Sequence, residues 1–192
     1  GSGNDAAVIS INRSAIAFAQ DAVEEYDIAP SFFDPVGKIN GASTARGHAA
    51  NLSYAKHLAS LGEPFEMMDA QDMTAVTGAN YYFSGLHTPG TVMLQPAGFV
   101  RGIAEGLRGR IELFEGSPVT ELKRHGSDWQ VKTTQGKVTI GTVIFANNGH
   151  LESFGFQRRR LMHVFLYATM TGELSDAEQA ALGGEPRWGI TP

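Results

Sequence analysis

The chain has 192 residues, 42% hydrophobic and 18% charged, with a formal charge of −5 and a pI near 5.6. That length holds one large domain or two small ones, and the composition is that of a globular protein with a real core. The acidic balance argues against nucleic acid as a partner, the lack of cysteine excludes disulfides and thiolate chemistry, and no apolar run approaches the ~20 residues of a membrane span.

The opening Gly1-Ser-Gly-Asn-Asp lacks the basic and apolar regions of a signal peptide and reads as partly an appended leader. A first helix is expected over Asn12 to Tyr26, where Ile16, Ala19, Val23 and Tyr26 recur at helical spacing opposite Asp21, Glu24 and Glu25. Ser31 to Asn40 reads as extended, interrupted at Pro35 and turned at Gly37. A second helix fits Thr44 to Leu61 and stops at Gly62, ahead of Pro64. Phe65 to Met68 reads as a short strand, and Asp69 as the cap of a brief helix ending at Gly78. The stretch "NYYFSGLHTPGTVMLQP" carries aromatic and turn residues without a clear period. Pro96 opens a third helix, ended by Gly109, and Ile111 to Phe114 reads as a strand.

From Val119 the pattern is that of a β-meander. Strands are expected at Val119–Arg124, Gln130–Thr134 and Val138–Ile140, joined by His125-Gly-Ser-Asp128 and by a Gln135-Gly136 turn. A fourth strand, Val143–Ala146, is apolar at every position and ends in Asn147-Asn-Gly149, as a strand buried on both faces would. Small residues at the carboxyl end of such a strand let backbone approach a ligand closely. The plain alternative is a meander in any α+β protein. A further strand, Leu161 to Met170, would put Met162, Val164, Leu166 and Ala168 in the core. His163, Phe165, Tyr167 and Thr169 would share the other face. That face suits either an amine pocket or an aromatic-lined solvent face or interface. Asp176 caps a last short helix ending at Gly183-Gly184, and Arg187 to Pro192 reads as a strand beginning, which suggests an internal piece of a longer protein. The run Arg158-Arg159-Arg160 has no Gly-rich loop beside it and reads as a solvated strand entrance. His48 and His57, nine residues apart on one helix, lack metal-pair spacing and read as surface residues, and no metal site is expected.

The segments "PAGFVRGIAEGLR", "IELFEGSPVTELK" and "WQVKTTQGKVTIGTVIFANNGH", with "RLMHVFLYATM" and "RWGITP", resemble the FAD-dependent amine and amino-acid oxidases. This is the D-amino-acid oxidase and sarcosine oxidase family, and the likeness is to bacterial members similar to γ-glutamylputrescine oxidase. The resemblance implies an α+β fold: a substrate-side antiparallel or mixed sheet flanked by helices, plus the meander and returning strand of the FAD-binding domain. It implies substrate-domain parts at 1–95 and 151–192 around an FAD-domain part at 96–150.

It also implies FAD as cofactor in the parent protein, with Val119, Ala146, Asn147 and Asn148 near it. A small amine or amino acid would lie at His163, Phe165 and Tyr167, and the C–N bond would be oxidised by hydride transfer to give an imine. No catalytic acid or base is implied within the chain. The family's GxGxxG turn and C-terminal segment have no counterpart here, so the chain alone is expected to be inactive and to hold no FAD. The expected setting is cytoplasmic. The reading from a different class is a non-catalytic α+β small-molecule-binding or interaction domain.

Overall fold

A computed structural model describes residues 2–191 as two compact units, one formed by residues 1–111 with 172–192 and the other by residues 112–171. The helix opened by Pro96 falls in the first unit, as does the short helix near the C-terminus, which the family resemblance groups with residues 1–95.

The first unit opens with α1 (Ser2–Glu25). It starts ten residues earlier than its periodicity suggests because no Gly or Pro lies between Asn4 and Glu25 to stop it. Ser14 therefore bonds back to the Ser10 carbonyl at 3.0 Å instead of capping a helix start. After a 3-10 turn at Pro30–Phe32 come β1 (Phe33–Asp34) and β2 (Lys38–Ala42). Helix α2 (Ala45–Leu61) is capped by the Thr44 hydroxyl, which accepts from the Gly47 N–H at 3.1 Å, and ends on left-handed Gly62. Then follow β3 (Glu66–Met68), α3 (Ala70–Thr77), β4 (Ser84–Thr88), β5 (Met93–Leu94) and α4 (Pro96–Gly106).

The main sheet has the order β3-β4-β2-β9, where β9 is Ile190–Thr191. Its first three strands are antiparallel, and β9 joins β2 in parallel. Its inner face is closed by α2: Ala55 and Leu58 pack on Leu86 of β4, with Phe65 and Met67 alongside. Met73 of α3 and Leu86 are both 0% exposed. Strand β4 lies in the aromatic, turn-rich stretch that carried no clear period. The strand expected at Ile111–Phe114 is reduced to a single bridge between Arg108 and Ile111, and Phe114 is 74% exposed. Helix α5 (Asp176–Leu182) is capped by Ser175, one residue before the expected Asp176.

The second unit contains the meander as read, β6 (Val119–His125), β7 (Asp128–Thr133) and β8 (Lys137–Ile140), all antiparallel. Arg124 lies 4.8 Å from the centroid of Trp129 opposite it, and Val131 is buried. Two further expectations are corrected. Residues 143–146 form no strand, and Ile144 is 88% exposed, so this run is not buried on both faces. Residues 161–170 form no strand either. Met162, Val164 and Leu166 are as exposed as Phe165 and Tyr167, and the proposed division into a core face and a pocket face is absent. The physical reason is that a strand meets its backbone hydrogen-bonding needs by pairing. Among the described residues neither run has a ladder partner.

Candidate functional site

The second unit gathers its chemistry in the loop that follows the meander. Residues Asn148–Phe154 form a 3-10 turn, with Asn147 as its N-cap and left-handed Gly155 closing it. Non-glycine residues with positive φ are concentrated here: of the four among the described residues, Asn148, Gln157 and Arg159 lie in this loop. Such backbone is uncommon and recurs at ligand sites. Phe145 anchors the loop from below its start, with ring centroids 5.8 Å from Phe154 and 4.9 Å from Phe156.

A concavity of about 500 Å³ opens on this loop, lined by Asn148, Gly149, His150 and residues 161–165. It brings Asn148, read as cofactor-side, together with His163 and Phe165, read as substrate-side. Tyr167, Val119, Ala146 and Asn147 do not line it. Tyr167 is 96% exposed, and Val119 begins β6 beside a register shift that precedes Glu121. Asn147 is informative for another reason. Its Oδ1 is buried and, among the described residues, has no hydrogen-bond partner. A buried acceptor without a donor costs free energy, so the position suits a ligand that brings a hydroxyl or amino hydrogen.

His163 is held from two sides. Its Nε2 faces Glu152 Oε2 at 3.7 Å, while Glu152 Oε1 accepts the Arg159 N–H at 2.8 Å. On the other side a Cβ at Gly149 would run into the imidazole Cε1 and lie 2.8 Å from Nδ1. Sequence reasoning singled out His163 but missed Glu152 and Gly149. Gly149 was visible as the residue after the Asn pair, whereas Glu152 had no signal, because its partners come from later in the loop. The three arginines at 158–160 are exposed and lead into no strand.

In the first unit a concavity of about 360 Å³ between α1 and α2 carries the ion pairs Arg13–Glu63 (2.6 Å) and His57–Asp5 (3.4 Å). Its charges are already matched. His48 is not the free surface residue expected: it is half-buried, with Nδ1 2.7 Å from the Ser84 hydroxyl and its ring edge-on to Phe83. Among the described residues no group of side chains could hold a metal ion, and no helix is long and apolar enough to cross a membrane.

The chain is thus of the α+β class, with its meander leading into an Asn-Asn-Gly loop at the concavity. The family model described as DAO, FAD dependent oxidoreductase, matches residues 2–189, and the chain belongs to that family. No curated protein matches the sequence. Among solved structures it is similar to glycine oxidase from Bacillus cereus ATCC 14579, at TM-score 0.66 and 14% identity, covering 79% of this chain and 43% of that one. It is also similar to L-proline dehydrogenase from P. horikoshii, at TM-score 0.61 and 13% identity over 76% and 39%. Glycine oxidase from Geobacillus kaustophilus follows, at TM-score 0.60 and 18% identity over 70% and 37%. At these identities the likeness is one of fold, and the chain spans well under half the length of each of these structures. The family is FAD dependent.

Proposed function

We propose that the chain is part of a flavoenzyme that oxidises the C–N bond of a small amine or amino acid, giving an imine. The family match supports the reaction class, and the names of the similar structures, two glycine oxidases and an L-proline dehydrogenase, support an amino acid or amine as substrate. The observation that carries the site assignment is the unpaired, buried Asn147 Oδ1 at the edge of a loop that also lines the concavity.

The residues present fit an FAD. Asn147 offers an acceptor to a ribose or adenine donor. Asn148, left-handed at φ 52, and Gly149 expose backbone to a close ligand, and the family resemblance adds Ala146 and Val119 to the cofactor side. When bound, the flavin supplies the hydride acceptor. The chain's own side chains bind, orient and dehydrate the substrate. His163 and Phe165 wall the concavity, with the apolar side chains of Leu161, Met162 and Val164 beside them. The family resemblance adds Tyr167 to the substrate side. The 192-residue chain by itself is inactive, because the dinucleotide's phosphates need a helix N-terminus of the GxGxxG type, and the sequence has none.

The test is FAD affinity of the parent protein. Asn147→Leu removes the acceptor while keeping the volume, and the dissociation constant should rise about tenfold, the effect of one lost hydrogen bond of ~1.4 kcal/mol. An unchanged constant would remove Asn147 from the site.

A further inference from the structure

The arrangement around His163 goes beyond lining a concavity. We propose that His163 accepts a proton from a substrate ammonium and that Glu152 is its positioning residue. This deepens the amine-oxidising reading and rests on it.

Three observations carry the assignment. First, Glu152 is itself fixed: one carboxylate oxygen accepts the Arg159 N–H at 2.8 Å, leaving the other to face His163 Nε2 at 3.7 Å. Second, Gly149 has no positive φ, so its backbone needs no glycine. What needs the glycine is the imidazole, whose Cε1 and Nδ1 occupy the volume a Cβ would fill. Third, Leu161, Met162, Val164 and Phe165 share the concavity and are apolar, so among its lining side chains only His163 and His150 carry ring nitrogens that can accept a hydrogen bond.

Glu152 Oε2, 3.7 Å away, is too far for a hydrogen bond but favours the tautomer with its N–H at Nε2, which leaves the lone pair of Nδ1 as the acceptor. An ammonium ligand donates to that lone pair. In the transfer the ligand N–H bond breaks and its electron pair stays on the amine nitrogen. The proton ends on Nδ1, and the imidazolium charge faces Glu152. The amine is left neutral, the form whose nitrogen lone pair assists loss of hydride from the adjacent carbon. An imidazole alone would attract a carboxylate when charged. The Glu152 carboxylate biases the site toward a cation, so the class recognised is a primary or secondary ammonium group.

The experiment is a titration of the chain, carrying ¹⁵N-labelled histidine, with ethylamine and separately with sodium acetate. It is run at about pH 8, above the ordinary imidazole range. Imidazole nitrogen shifts are recorded, with His163→Gln assigning the signal. Ethylamine should give a saturable shift at Nδ1 of His163 and acetate none. Glu152→Gln should weaken the response about tenfold, the size expected for loss of a charge-assisted contact. Gly149→Ala should abolish it while circular dichroism stays unchanged. His57→Gln, on α2 in the first unit, should change nothing. Saturation by acetate instead of ethylamine, no saturable shift with either, or an undiminished response in Glu152→Gln or Gly149→Ala would overturn the assignment. Because no flavin enters the measurement, its failure is distinct from a failure of the parent protein to bind or reduce FAD.

Discussion

Leu86 and Met73 are wholly screened from solvent, and the inner face of the main sheet depends on them. Truncating Leu86 to Ala removes the side chain against which Ala55 and Leu58 pack. The expected loss is about 2–5 kcal/mol, read as a lower urea midpoint at unchanged slope. Tyr167 gives the opposite case. At 96% exposure its replacement by Ala should leave stability within about 0.5 kcal/mol, so any kinetic effect in the parent protein would report on substrate and not on folding. His163 stood out in the sequence because a lone histidine among apolar and aromatic residues is conspicuous. Glu152 did not, since a carboxylate in a polar loop gives no sign of which side chain it will face.

At the level of elements, helix ends were the most legible feature because capping is local. Thr44 and Gly62 bound α2, and Asp69 and Gly78 bound α3, as their positions in the sequence suggest. Gly62 and Gly78 have the same left-handed φ of 71° but different surroundings. A Cβ at Gly62 meets open space, whereas one at Gly78 collides with the Leu182 carbonyl and the Gly183 backbone at the end of α5. Gly62→Ala should therefore cost about 1 kcal/mol and Gly78→Ala about 2–4 kcal/mol by thermal unfolding. Equal losses would mean that α5 does not dock against α3.

The start of α5 carries a pH dependence. The Ser175 hydroxyl and N–H donate to Glu178 at 2.7 and 2.8 Å and hold its carboxyl below the ordinary carboxylate range. A depressed folded-state pKa contributes stability above the unfolded value, and that stability is lost as pH falls through the folded one. Protection of the first-turn amides of α5 should thus fall on acidification, and in Glu178→Gln it should be low at neutral pH and flat with pH. Strands were less legible than helices. Strand β4 has Gly85 as its second residue and aromatic neighbours before it, so no alternation marks it. The run at 161–170 alternates well yet stays unpaired, because pairing is set by a partner that the run itself does not contain.

On the scale of the whole molecule, the segments from Pro96 to His150 resemble the family, and the family model spanning residues 2–189 places the chain in it. The α+β class followed from the same mixture of capped helices and short antiparallel strands. Less legible was the placement of α4, which packs on α1, a partner far from it in sequence. The central claim is that this chain serves a flavin-dependent oxidation of a C–N bond. The most direct measurement is anaerobic addition of glycine, L-proline and simple primary amines to the FAD-loaded parent protein, following the flavin absorbance. The account predicts that at least one of these bleaches the flavin and yields an imine, which hydrolyses to ammonia and a carbonyl product for glycine or a primary amine and to a single ring-opened amino carbonyl compound for L-proline. A parent protein that stays colourless when supplied with FAD, or whose bound flavin none of these compounds reduces, would contradict it.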